Sequence, residues 1–193
     1  MTSKIAYLLS DDERDSLEYP DENYLNYVTP HSISSKVFSL VQCYFCLEDK
    51  VIWDMFCGVG TDSLRLAQRS GKVLCTEIDE RVYEKLLVNV KTCDKIETYN
   101  VSCLDIDLNP DVIYFDPPWG ETFDEPGFNF LSVMIGNKSI RDILQSKYEK
   151  HDLVVKTPLS SGDISFLFQP EDIVHIMRFS TQKLVYYVIK RKK

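Results

Sequence analysis

The chain has 193 residues, 44% of them hydrophobic and 27% charged, which suits one soluble globular domain and leaves little room for a second. A net charge of −8 and a pI near 4.9 argue against the broad basic grip that holds long nucleic acid by its phosphates, so such a substrate would be held through a base or a chain end. No apolar run nears the ~20 residues of a membrane span, and the opening "MTSKIAYLLSDDERD" makes a poor signal peptide, which points to an intracellular protein, cytoplasmic or nuclear.

Residues 1–50 read as a short, largely helical accessory segment and residues 51–193 as the core of a single domain. Within the first, "SSKVFSLVQCYFCLEDK" repeats its apolar residues at helical spacing. Cys43 and Cys46 form a lone C-x-x-C among six cysteines. A metal site needs four ligands and no second pair accompanies them, so both are expected as buried helix cysteines. "KVIWDMFC" then reads as a buried strand, "GVGT" as a turn and "DSLRLAQRS" as a helix that stops before Gly71. "KVLCTEI" is a second strand and "DERVYEKLLVNVKTC" a helix with an acidic first turn. "KIETYNV" and "DVIYFD" are further strands. "NKSIRDILQSKYEK" is a helix with Asn137 as its expected N-cap, and "DLVVKTP" a fifth strand. "DIVHIMRFS" and "KLVYYVIK" form a closing antiparallel hairpin. This alternation implies an α/β fold with a mostly parallel seven-stranded sheet covered on both faces.

In such a sheet, ligands sit at the carboxyl ends of the strands near the topological switch point. The first of these ends is "DMFCGVGT", where Gly58 and Gly60 permit a sharp turn and close backbone approach. The dinucleotide fingerprint wants a third glycine where Ser63 stands, and many turns with two glycines bind nothing. Glu77 ends the second strand 23 residues after Asp54, where a carboxylate accepts both hydroxyls of a ribose. A solvated strand-end charge explains Glu77 equally well by itself. The two features together suggest an adenosine-type cofactor without a pyrophosphate.

"DPPW", residues 116–119, follows the fourth strand into the same crevice. Methylating an exocyclic amine explains each of its residues. The amine's lone pair is delocalised into the base, and it becomes a better nucleophile when acceptors hold its hydrogens. Asp116 and the Pro117 carbonyl offer those acceptors, and proline's fixed φ keeps the loop from relaxing away. Trp119 offers a face for a flat base, more strongly for a cationic one. A rigid turn capped by a buried tryptophan is the competing explanation.

These residues together resemble the class I S-adenosylmethionine-dependent methyltransferases, whose Asp/Asn/Ser-Pro-Pro-aromatic motif is typical of members acting on amino groups of bases. The closer resemblance is to trimethylguanosine synthase, which methylates N2 of the 7-methylguanosine cap on RNA. Its V-T-P segment is matched by Val28, Thr29 and Pro30, its D-x-F-C-G-V-G by Asp54 to Gly60, and its P-P-W-G by Pro117 to Gly120. "ETFD" at 121–124 and the closing "KLVYYVIK" are also similar, so the resemblance runs from about residue 15 to the C-terminus. It implies a Rossmann-like core with S-adenosylmethionine held by Thr29, Asp54, Phe56, Gly58, Gly60, Glu77, Ser102 and Asp116. It implies catalysis by Asp116, Pro117 and Trp119, substrate contacts from Pro118, Trp119 and Lys156, and no metal. The partner would be m7G-capped RNA or a cap nucleotide, with a protein partner to supply RNA affinity left open.

Three departures accompany the resemblance. Ser102 stands where the family has an acid, Glu121 follows Gly120 where a second glycine is usual, and Leu159 follows Pro158 where a basic residue grips the cap phosphates. Lys156 is then the nearest cation. An adenine-N6 or internal guanine-N2 methyltransferase uses the same motif, and an inactive scaffold subunit with this fold is a third alternative.

Overall fold

The structure is a computed structural model that describes residues 7–14, 16–120, 122–125 and 127–192, the side chains of Asp11 and Arg14 excepted. Nine strands form among the described residues: β1 (Val51–Asp54), β2 (Lys72–Glu77), β3 (Ile96–Asn100), β4 (Val112–Phe115), β5 (Met134–Ile135), β6 (Lys138–Ser139), β7 (Asp152–Pro158), β8 (Ile173–Phe179) and β9 (Leu184–Ile189). The longer helices are α1 (His31–Phe45), α2 (Thr61–Ala67), α3 (Glu80–Val90) and α4 (Ile140–Tyr148). Seven strands make one sheet in the order β3-β2-β1-β4-β7-β9-β8, and β5 and β6 make a separate small hairpin. Neighbours from β3 to β7 are parallel, and β9 is antiparallel to both β7 and β8. This is the Rossmann-like arrangement of class I methyltransferases, with the expected closing hairpin.

Side chains alternate along each strand, so successive residues enter different cores. Ile52, Tyr114, Val154, Tyr186 and Val188 face one side with α1, α2 and α3. Trp53, Ile113, Phe115, Val155 and Tyr187 face the other with α4. β1, β4 and β9 have helix-covered faces and a strand on either side, which is why their sequences read as continuous apolar runs rather than alternating ones. α1 buries Ile33, Val37, Phe38, Val41 and Phe45 along one stripe, and the Phe38 ring meets Tyr114 edge-on at 5.4 Å. Truncating Phe38 would cost about 3–5 kcal/mol, the usual range for a core phenylalanine.

That stripe overturns the expectation of buried helix cysteines. Cys43 lies on the opposite side of α1, and Cys46 adopts a left-handed conformation (φ 51°) at the helix end, so both are exposed. No group of three or more His, Cys, Asp or Glu among the described residues is placed to hold a metal ion. The start of α4 also differs from expectation. Gly136 (φ 58°) and Asn137 turn the β5–β6 hairpin, and Ser139 caps the helix in place of Asn137. Its Oγ accepts from the Asp142 amide at 3.1 Å, the N-cap bond, and donates to the Asp142 carboxylate at 2.6 Å. None of the described helices is long and apolar enough to cross a membrane.

Tyr24, before α1, reaches the turn that follows the carboxyl end of β1. Leu8, Leu9, Leu25 and Val28 form a small cluster of their own. Asn89 of α3 accepts from the Glu18 amide and donates to the carbonyls of Glu18 and Val59, which fastens this segment to the turn after β1.

Candidate active site

Strand order reverses between β1 and β4, so the crevice of a doubly wound sheet opens beyond their carboxyl ends. The turn after β1 has Gly58 at φ 54° and Gly60 at φ 86°, a region in which side chains are strained. Space imposes a second requirement. A Cβ on Gly58 would lie 2.1 Å from the Tyr24 hydroxyl, and one on Gly60 would lie 2.6 Å from Leu86. Tyr24 therefore reaches from the N-terminal segment into the crevice beside the Val59 amide, where Glu77 and Asp116 both face it and burial pushes its phenol upward. The sequence reading missed this tyrosine; nothing local distinguishes it from Tyr19 or Tyr27.

Glu77 stands at the end of β2 with Oε1 accepting from the Asp79 amide at 2.8 Å. Burial raises its pKa against the pull of nearby amides, including that of Gly58. A carboxylate has about four lone-pair sites, so Glu77 keeps capacity for further donors. Phe56 packs edge-on against Phe115 at 5.3 Å. Ser102 uses its hydroxyl to accept from the Leu104 amide at 3.2 Å, closing the turn after β3.

Asp54 lies under the glycine turn, 1% exposed. Its Oδ2 accepts from Ser63 at 2.6 Å and its Oδ1 is buried with no partner. Burial, with Asp62 and Asp116 adding repulsion, pushes its carboxyl up to about 8. Ser63, which replaces the third glycine of the dinucleotide pattern, is thus the support of this carboxyl.

The end of β4 leads into Asp116. The Asp116 side chain is 19% exposed, and its Oδ2 accepts from Lys156 Nζ at 2.6 Å. Burial raises its pKa and Lys156 opposes the rise. Pro117 is buried, and Pro118 is exposed. Trp119 is half-buried, packed against both cores and edge-on to Phe123 at 5.5 Å, with its indole nitrogen buried and unpartnered. Lys156 Nζ sits 5.5 Å from the centre of its ring. Trp119 is therefore partly a core residue, and its ring already has a cation beside it.

Behind Asp116 runs a buried polar network. Lys156 Nζ also donates to Thr29 Oγ1 at 2.8 Å, and Thr29 donates to Asp62 Oδ2 at 2.9 Å. Tyr114 donates to the same oxygen at 2.8 Å. Arg65 donates to Asp62 Oδ1 at 3.1 Å, to Ser34, to the carbonyls of Leu8 and Thr29, and in a fork to Glu13 at 2.7 and 2.9 Å. Two expectations change here. Thr29 is turned into this network rather than towards the crevice. Lys156, expected as a substrate contact, points its ammonium at Asp116 and Thr29 and is itself buried. Asp62 and Arg65 were missed, although an acid and a base three apart in "TDSLRLA" signalled a pair on one helix face.

A family model described as "Conserved hypothetical protein 95" matches residues 28–140. Uncharacterized protein L320 of Acanthamoeba polyphaga mimivirus is 26% identical over 179 residues, covering 88% of this chain and 69% of the relative. Among solved structures, yhhF of Escherichia coli, described as a candidate methyltransferase, matches with a TM-score of 0.63 and 15% identity over 91% of each chain. PH1948 of Pyrococcus horikoshii, described as a candidate RNA methyltransferase, matches with a TM-score of 0.59 and 16% identity over 84% of this chain and 87% of its own. At these identities the structural likeness speaks for the fold. The narrower likeness to trimethylguanosine synthase draws no support from these matches.

Proposed function

We propose that this chain, which belongs to the conserved hypothetical protein 95 family, transfers a methyl group from S-adenosylmethionine to an exocyclic amine of a nucleic-acid base. The observation that carries the reading is Asp116, a partly open carboxylate at the end of β4, followed by two prolines and set beside the glycine turn at the switch point. The fold's solved relatives described as methyltransferases support the reaction, and PH1948's description supports RNA as the substrate.

The residues present suit the cofactor. Glu77 has acceptor sites for ribose hydroxyls at the end of β2, and the turn at Gly58 lets a ligand approach the backbone as closely as Tyr24 does. When bound, S-adenosylmethionine supplies a methyl group activated by a sulfonium. Asp116 Oδ1 and the Pro117 carbonyl accept the amine's hydrogens and aim its lone pair. Pro117 and Pro118 hold those acceptors in place, which is catalysis by positioning. No strong dedicated base is required, because an amine that has received a methyl group loses its proton readily, and Asp116 is at hand to take it.

Adenine N6 and internal guanine N2 fit the motif as well as the cap does, and the half-buried Trp119 favours them over a free stacking platform. The cap reading rests on the sequence resemblance at Val28 to Pro30, Asp54 to Gly60 and Pro117 to Gly120. Incubation with labelled S-adenosylmethionine and a panel of m7G-capped RNA, uncapped RNA, m7GTP and DNA, with products resolved by mass, is the test. An N-methylated base is the expected product. Tight binding of S-adenosylhomocysteine with no transfer to any substrate would favour the scaffold alternative.

A further inference from the structure

We infer that Lys156 is a positioning residue, whose buried ammonium fixes Asp116 through Oδ2 and leaves Oδ1 as the acceptor that meets the incoming amine. Its chemical purpose rests on the methyl-transfer reading, whereas the pairing stands on geometry. β4 and β7 are parallel neighbours with Phe115 opposite Val155, so the next residues along, Asp116 and Lys156, emerge side by side. Alternation turns Lys156 to the same face as Val154, where α1 and α2 cover it, and its side chain is 6% exposed.

An ammonium has three donors. One goes to Asp116 at 2.6 Å, one to Thr29 at 2.8 Å, and the head group lies 5.5 Å from the Trp119 ring. This arrangement holds the side chain in one place and leaves nothing directed at solvent. A phosphate grip would need the opposite orientation.

The groups facing Asp116 come from several elements. Lys156 on β7 is the cation. Asp62 on α2 is the like charge, Asp54 on β1 is a carboxyl that burial keeps protonated up to about pH 8, and Tyr24, Tyr114 and Tyr186 contribute phenols. Arg65 occupies Asp62 from its far side, so Glu13, Arg65, Asp62, Lys156 and Asp116 follow one another with alternating sign. Without Lys156, burial and the neighbouring Asp62 carboxylate act on Asp116 unopposed. A protonated Asp116 has lost acceptor capacity, and the carboxyl is free to rotate.

The test compares wild type with Lys156→Met, which keeps the side-chain volume, and Lys156→Gln, which keeps a donor without the charge and serves where Met fails to fold. Carbon-13 titration of the aspartate carboxyls, with the Asp116 signal assigned from Asp116→Asn, needs no substrate. Its midpoint should rise by about one to three pH units in either variant, the effect of an opposite charge at contact. Methyl transfer should fall at least tenfold at pH 6 and recover towards wild type by pH 9, with S-adenosylhomocysteine affinity unchanged. An unmoved Asp116 midpoint overturns the pairing. A loss equal at every pH, with KM for RNA raised and kcat kept, overturns the positioning role in favour of phosphate contact. If wild type methylates nothing, the proposed function fails, and the titration alone decides whether Lys156 holds Asp116 ionised.

Discussion

Asp54 ends β1 with one oxygen on Ser63 and the other unpartnered, and its carboxyl is pushed up from 3.8 to about 8 chiefly by burial. The folded state therefore binds this proton more tightly than the unfolded chain does. The associated stability is fully present below about pH 4 and is lost as pH rises through about 8. Asp54→Asn should raise the melting temperature at pH 8.5 and change it little at pH 4; an equal shift at both would show that the carboxyl titrates normally. Glu13 runs the other way. Burial alone would raise its carboxyl, but the Arg65 fork and the Ser10 amide hold it at about 2, so its contribution is present above about pH 4.5 and is lost as pH falls towards 2. Glu13→Gln should accordingly cost stability at pH 7 and much less at pH 2.5 in thermal melts. Residue identity was legible at Asp54, Gly58, Glu77 and Asp116, because motif spacing places them at strand ends. Orientation was not. Thr29 and Lys156 turn inward because Asp62 and Asp116 offer them partners 33 and 40 positions away, a relation that no local pattern carries.

Among the elements, β1, β4 and β9 were readable because strands buried on both faces are near-continuous apolar runs. The β5–β6 hairpin was not, since two residues per strand are too few to show a period. How the described residues before α1 are held was not legible. Arg65 is the fastening, bonded to Leu8, Glu13, Thr29, Ser34 and Asp62 from a position 1% exposed. Removing one member of a buried ionic network strands the others, at a cost of about 3–5 kcal/mol. Arg65→Met should lower the melting temperature and speed hydrogen exchange in residues 7–14 and 16–30 more than in β1 or β4. Unchanged exchange there would mean that the apolar cluster of Leu8, Leu9, Leu25 and Val28 holds the segment by itself. Because Arg65 and Lys156 meet through Asp62 and Thr29, loosening this segment should also slow methyl transfer.

At the scale of the molecule, the mostly parallel sheet and its closing hairpin followed from the pattern of strands and helices, while strand order and substrate class did not, since one fold carries many functions. Charge is the property that constrains it. The net charge is −8, and several surface cations already face carboxylates: Lys50 with Asp111, Lys72 with Glu97, Lys85 with Glu18 and Lys183 with Asp124. Lys156, next to the site, is buried on Asp116. Few phosphates would therefore be neutralised on binding, and few counterions released. Each neutralised phosphate of a single strand contributes about −0.7 to the slope of log K against log salt. For a single-stranded RNA bearing the target base, fluorescence anisotropy between about 50 and 200 mM salt should give a slope no steeper than about −2, or roughly three phosphates. A slope near −5 would reveal a cationic track along the RNA and would sink the view that this protein grips its substrate mainly by the base.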